Sequence, residues 1–288
     1  MSEISAATVM KLRKMSGQGM MDCKKALAEA NGDMDKAMDI LRKKGLATLA
    51  KRAERETSEG MVISKITDDG RCAILATLCC ETDFVAKSDD FATLADKLQE
   101  YAMACSDDVS TDAFLSTEVD GKSFNDLITE TVSKTGEKTQ LGDYARCKLD
   151  GPGLLSVYVH FNKKVGTMLH IETGDDSVAA DDSFRTTAND IAMHITATKP
   201  LALDKDGIDP DVLEKEKAIF AEQVKNKPAE IVEKIVEGKM KKFYAENCLL
   251  AQPFVKDDKK SISQVLAEAA KNAGGTAKIK RFVRFEVG

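Results

Sequence analysis

Seven cysteines (Cys23, Cys72, Cys79, Cys80, Cys105, Cys147 and Cys248) and three histidines (His160, His170 and His194) are the side chains on which metal or nucleophilic chemistry would draw. Their spacing organises them for neither. No C-x-x-C, H-x-x-x-H or H-E-x-x-H occurs, and those separations are what set two ligands on one metal. A phosphate cradle is missing too. There is no G-x-G-x-x-G and no G-x-x-x-x-G-K-[ST], and Ser16-Gly17-Gln18-Gly19 lacks a lysine at the needed offset. G-x-S-x-G is also absent. A single cysteine–histidine nucleophile pair stays open, but no cysteine stands in a reactive context. The expectation is a protein that is not an enzyme and carries neither metal nor cofactor.

A different kind of chemistry is suggested at Thr82-Asp83-Phe84-Val85. The run Cys72-Ala73-Ile74-Leu75-Ala76-Thr77-Leu78-Cys79 reads as a buried strand, and just beyond it an acid stands beside a large aromatic. Two readings stand: either Phe84 is core and Thr82 or Asp83 caps a turn, or Phe84 is a protruding wedge. An exposed aromatic becomes a hot spot worth ~2 kcal/mol or more when a partner's pocket buries it. The carboxylate beside it could compete with a partner's anions or hydrogen-bond to the ligands of a partner's metal.

The bulk composition narrows the setting. A chain of 288 residues can hold two or three domains with sizeable cores. Hydrophobic residues at 43% and charged residues at 31% place it among soluble globular proteins. A net charge of −6 argues against a general nucleic-acid binder, whose affinity comes largely from phosphate neutralisation. Basic residues are local, as in Lys51-Arg52-Ala53-Glu54-Arg55 and Lys239-Met240-Lys241-Lys242. No apolar run approaches the ~20 residues that span a bilayer. Met1-Ser2-Glu3-Ile4 has neither the basic nor the apolar region of a signal peptide. An odd cysteine count and adjacent Cys79-Cys80 suit reduced thiols, so the expected setting is cytoplasmic.

Periodicity supplies the elements that must position these residues. Residues 1–45 read as a small three-helix unit: Val9 and Leu12, then Met20, Cys23, Leu27 and Ala30, then Met34, Ala37, Met38 and Leu41 form its apolar stripes. Residues 46–57 read as a helical linker. From Gly60 the period changes to that of strands, with 61–66 and 72–79 joined at Asp68-Asp69-Gly70 as a hairpin and a helix following over 89–105. A second strand pair, 154–161 and 165–172, leads into a helix over 181–197. Laid on Phe91 and Phe184, the two helices match at Ala95/Ala188, Asp96/Asn189, Leu98/Ile191 and Ala104/Ala197, which predicts two related α+β subdomains. The predicted divisions are 58–140 for the first, and 141–208 with 247–288 for the second. Between the halves, 106–140 is polar with a short helix near 124–133. The segment 209–246 is a predicted αα-hairpin with Pro228 at the start of its second arm and a seam of Val212, Ala218, Val224, Ile231, Ile235 and Phe243. A helix over 262–272 and a strand over 280–287 close the chain.

Four stretches together resemble a known family. They are Leu12-Arg13 with Ser16-Gly17-Gln18-Gly19-Met20-Met21-Asp22-Cys23-Lys24-Lys25-Ala26-Leu27; Thr82-Asp83-Phe84-Val85-Ala86-Lys87; Ile191-Ala192-Met193-His194-Ile195 with Lys199-Pro200; and Val236-Glu237-Gly238-Lys239-Met240-Lys241-Lys242-Phe243 with Gln252-Pro253-Phe254-Val255. In this order they resemble the elongation factor Ts family, guanine-nucleotide exchange factors for elongation factor Tu in bacterial translation. The resemblance implies an N-terminal three-helix domain of ubiquitin-associated type, a core of two related subdomains with antiparallel sheets, and a protruding helical hairpin. It implies that Asp83 and Phe84 enter elongation factor Tu beside its magnesium and phosphate site, with Thr82 and Val85 holding the turn. It places Arg13, Met20 and Met21 at a contact with the partner's GTPase domain, and His160 near the partner. Around His160 the segment Asn162-Lys163-Lys164-Val165-Gly166 departs from the commoner glycine-rich form. Better-known members continue past the segment matching Phe285-Glu286-Val287-Gly288 into a helical module that touches the partner. The expectation here is that the other two docking regions carry binding. Self-association through the hairpin and a plain scaffold or chaperone-like adaptor are the alternatives that the same elements allow.

Overall fold

The structure, a computed structural model, describes residues 4–105 and 110–288. Met1-Ser2-Glu3 and the 106–109 part of the expected polar segment lie outside the described residues. The helical unit comes first: α1 (Ala6–Ser16), α2 (Met20–Glu29) and α3 (Met34–Lys51). Ser5 caps α1 by accepting from the Thr8 amide, and Asp33 caps α3 by accepting from Asp35 and Lys36. Gly17, at φ +67, ends α1 with its amide on the Arg13 carbonyl. Val9, Leu12, Cys23, Ala26, Leu27, Ala37 and Leu41 form the core, as the helical periods require. Helix α3 runs without a break through the expected division at 45/46, because residues 46–51 are mostly helix formers and continue the turn pattern.

The first half then follows as β1 (Glu59–Ile66), β2 (Cys72–Cys80), α4 (Asp83–Ala86), α5 (Asp89–Ala104), α6 (Thr111–Leu115), β3 (Glu118–Val119), β4 (Lys122–Ser123), α7 (Phe124–Thr135) and β5 (Thr139–Lys148). The second half is β6 (Gly153–Val159), β7 (Val165–Thr173), α8 (Asp176–Ala180), α9 (Asp182–Thr198), α10 (Pro210–Glu222), α11 (Ala229–Asn247), β8 (Pro253–Phe254), β9 (Asp257–Ser261), α12 (Ile262–Asn272) and β10 (Ala277–Glu286). Two antiparallel three-stranded sheets result, in the orders β1-β2-β5 and β10-β7-β6. The fold class is α+β.

The internal repeat reaches further than the helix match in the sequence. Each half is a hairpin, a short helix, a long helix, a two-stranded ladder, a helix opened by a capping box, and a third strand added beside the hairpin's second strand. The capping boxes are Ser123 with Asp126 and Ser261 with Gln264. Phe124, Ile128 and Val132 in α7 correspond to Ile262, Leu266 and Ala270 in α12, all buried. The αα-hairpin is an insertion in the second half, where the first has α6.

Side-chain alternation on the central strands sorts the core. Ile74, Ala76, Leu78 and Cys80 of β2 face α5 and α7, while Ala73 and Leu75 join Leu155 and Met168 in a layer shared by both sheets. Leu169 and Ile171 of β7 face α9 and α12. Strand β5 escaped the sequence reading, and the expected division at 140/141 falls inside it. Its alternation is broken by a bulge opposite Ala76 and Leu78, where the Asp143 amide donates to Thr77 Oγ1 at 2.7 Å. The N-terminal unit docks on α7. A Cβ on Gly45 would stand 2.5 Å from the Thr129 carbonyl, so α3 approaches α7 as only glycine allows. Arg42 pairs with Asp126 across the same contact.

The αα-hairpin differs from its expected seam. Val212 and Ile231 are exposed, and Phe243 packs with Ile208 and Leu213 at the base instead. Between the arms, Ala218 and Ala221 are too small to fill the space against Val232, Val236 and Met240, which leaves a groove. The hairpin's base is fastened through fully buried His194 on α9. Its Nδ1 accepts from the Val255 amide (3.3 Å), so the proton sits on Nε2, which lies 2.9 Å from Gln252 Oε1. Gln252 in turn accepts from Thr198 Oγ1 and donates to the Glu246 carbonyl.

Burial pushes the His194 imidazole below its ordinary pKa, outweighing the opposite pull of Gln252. His170 is pushed the same way, by burial and then by Lys280 and Arg281. An unfolded chain binds these protons near pH ~6.5, whereas the native chain binds them only at lower pH. The unfolded state therefore holds more protons in that window, and stability falls as pH drops through about 6.5. Urea denaturation from about pH 7.5 to 5.5 is expected to show this slope, and His194→Gln is expected to flatten it. An unchanged slope in the variant would contradict the assignment.

No helix among the described residues is long and apolar enough to cross a membrane.

Candidate partner-binding site

The Thr82-Asp83-Phe84-Val85 segment is α4 and its cap. Strand β2 ends at Cys80, whose thiol donates to the Thr82 carbonyl at 3.2 Å. Thr82 is extended (φ −129°, ψ 156°) and its Oγ1 accepts from the Val85 amide. The same hydroxyl donates to Glu137 at 2.9 Å, and the Thr82 amide donates to Glu137 at 3.2 Å. Thr82 is thus clamped to the loop after α7. One residue earlier, Glu81 takes both oxygens to the Arg52 guanidinium (2.8 and 2.7 Å) and one to the Lys138 amide (2.6 Å). Burial alone would raise the Glu81 carboxyl, but the Lys138 amide and Arg52 together hold it below its ordinary range.

On this rigid base the helix has room for one turn. Successive residues turn by about 100°, so Val85 faces the core at 8% exposure while Phe84 stands at 82%. The core reading of Phe84 is overturned, although Thr82 does cap the turn. Asp83 is half-buried and pairs with Lys87 one turn on at 2.7 Å. The hydrogen bond from that ammonium, then its charge, holds the Asp83 carboxyl below the usual carboxylate range.

Nothing around α4 is built for covalent chemistry. Burial, with Glu137 adding to it, pushes the Cys80 thiol up to about 12, and burial raises Cys79 too. Both stay protonated at neutral pH and are poor nucleophiles. Cys147 Sγ lies 3.2 Å from His170 Nδ1, yet both side chains are buried between the sheets. Among the described residues no group of three or more His, Cys, Asp or Glu is arranged to hold a metal ion.

The other expected site residues lie on the N-terminal helices and just past β6. Met20 and Met21 open α2 at 40% and 62% exposure, and Arg13 is exposed on α1. The Gly17 turn between them sits against the Lys134 side chain, whose ammonium pairs with Asp90 in the first turn of α5 at 3.3 Å. One lysine thus spans from the glycine turn to the α4–α5 junction. His160 is half-buried at the end of β6, with Nδ1 3.1 Å from Tyr158 Oη. Next to it the structure reveals Phe161, 88% exposed, which sequence reasoning passed over. The available signal was an aromatic directly before the Asn162-Lys163-Lys164 turn, where a core residue is out of place.

The sequence matches the family described as Elongation factor TS over residues 81–288. An elongation factor Ts of Nitratiruptor sp. is 45% identical over 287 residues, covering 99% of this chain and 93% of that protein. An elongation factor Ts of Chlorobium phaeobacteroides is 41% identical over 293 residues and covers 100% of both. One from Desulfovibrio desulfuricans is 38% identical over 292 residues, 100% of this chain and 99% of the relative.

Proposed function

Because the chain belongs to the elongation factor Ts family of translation elongation factors, we propose that it binds GDP-loaded elongation factor Tu in the cytoplasm and releases the nucleotide by dislodging its magnesium ion. The observation that carries this is Phe84, an aromatic 82% exposed on a turn clamped from both sides by Glu137 and Arg52–Glu81. A side chain presented on so fixed a base can displace a partner's elements instead of yielding to them. Asp83 beside it brings a carboxylate toward the partner's phosphate and magnesium ligands once its Lys87 pair opens. Arg13, Met20 and Met21 form a second contact, where flexible thioethers adapt to a partner's groove. His160 forms a third.

Exchange of this kind is linkage. A factor that binds best to the partner with GDP and magnesium loosened must weaken both by the same factor. Inserting Phe84 selects the displaced arrangement, and loss of magnesium leaves the diphosphate charge uncompensated. No bond is made or broken by this chain, so it acts as an exchange factor and not as an enzyme.

The open groove between α10 and α11 favours one second reading, in which the hairpin holds another protein or a second copy and the chain is an adaptor. The two readings separate in one assay. Labelled GDP on elongation factor Tu is mixed with excess unlabelled nucleotide and a tenth of an equivalent of this protein. Complete, accelerated release supports exchange. Binding without accelerated release supports the adaptor.

A further inference from the structure

We propose that Phe161, at the tip of the β6–β7 hairpin, is a second aromatic anchor for the same partner that receives Phe84, seated in an apolar pocket rimmed by carboxylates. This rests on the exchange-factor reading above. Among the described residues Phe161 and Phe84 are the two most exposed large apolar side chains, at 88% and 82%. They also share one edge of the sandwich. Strand β2 ends there and leads into α4, β1 begins there at Glu59, and β6 ends and β7 begins there around the Phe161 turn.

Direct bonds hold the tip to that edge. The Val62 amide donates to the Lys163 carbonyl at 2.7 Å, the Val287 amide donates to the Lys164 carbonyl at 2.8 Å, and the Lys164 ammonium pairs with Glu59. A Cβ on Gly166 would stand 2.9 Å from Val62, so the hairpin lies flat on β1. A shallow cleft lined by Val62, Ala92, Val159 and Lys163 is what separates the tip from the first turns of α5.

The ring is presented, not merely uncovered. Phe161 lies 4.4 Å from the His160 ring, which Tyr158 Oη holds in turn. The turn is closed by the Lys163 amide on the His160 carbonyl (2.8 Å) and by Asn162 Oδ1 accepting from the Lys164 amide (3.0 Å). Lys163 accepts the left-handed conformation, φ +56, to make it. An aromatic carried on a turn whose backbone is fixed before docking loses less freedom on binding than one on a loose loop. Lys163 is exposed on the same turn, which gives the anchor a positive rim and selects a pocket with acidic edges.

The test compares wild type, Phe161→Ala, Phe161→Leu and Phe84→Ala on elongation factor Tu–GDP, reading Kd, dissociation rate and limiting release rate. Phe161→Ala is expected to raise Kd about tenfold, chiefly through faster dissociation, at an unchanged melting temperature. Phe161→Leu recovers most of that loss. The defect lies in affinity, whereas that of Phe84→Ala lies in the limiting rate. Wild-type affinity in Phe161→Ala, with wild-type exchange intact, overturns the anchor and leaves the exchange reading standing. A wild-type chain that neither binds nor releases overturns both. A Phe161→Ala variant that changes sedimentation of the free chain but not Kd overturns the anchor in favour of a contact between copies.

Discussion

Phe84→Ala is expected to leave the free protein within about 0.5 kcal/mol of wild type, since it trims a side chain that is 82% exposed. The same change is expected to slow stimulated GDP release from elongation factor Tu tenfold or more, a loss of about 1.4 kcal/mol or more of coupling. The two readouts move independently because the base of α4 is untouched. Thr82 keeps both bonds to Glu137, Glu81 keeps Arg52, and Val85 stays in the core. Thermal denaturation beside stopped-flow release at saturating protein checks both halves. A variant that melts much earlier yet exchanges normally per folded molecule would return Phe84 to a structural role.

The opposite result is expected seven residues along the chain. Phe91, at the start of α5, is fully buried against β2 and α7. Phe91→Ala opens a cavity in a packed interior and is expected to cost ~3–5 kcal/mol, read from urea denaturation. Exchange per folded molecule should survive, because Phe91 is wholly inside the core and adds nothing to the exposed face of α4. A cost below about 1 kcal/mol would mean that the layer between β2, α5 and α7 is not the packed core described above. The pair separates an aromatic that holds the fold from one that the fold holds out.

Much of this arrangement was legible in the sequence. Turn chemistry marked Gly17, Asp68-Asp69-Gly70 and the entry to the second hairpin arm, and the apolar periods marked every long helix. The helix match on Phe91 and Phe184 pointed to a repeat whose full extent lies in elements too short or too polar to see, such as α4, α8 and the two-residue strands. Strand β5 was hidden because a bulge breaks its alternation and Thr139 and Gln140 open it. The site was legible only as a question. In a one-turn helix, residues 84 and 85 face opposite surroundings, and no period in four residues tells which faces inwards. Resemblance to the family points to Phe84 as a wedge, while Val85 in the core and the Glu137 clamp supply the physical cause of its exposure. Phe161 was missed because it reads as the last residue of the strand over 154–161, whereas β6 ends at Val159 and leaves it on the turn.

The most direct measurement is release of labelled GDP from elongation factor Tu, with wild type and with Phe84→Ala, in magnesium and again in chelator. In magnesium the wild type should accelerate release strongly and the variant at least tenfold less. In chelator the ion is already gone, so the gap between the two proteins should shrink several-fold. A gap of equal size with and without magnesium, or no acceleration by the wild type in either, would contradict the account.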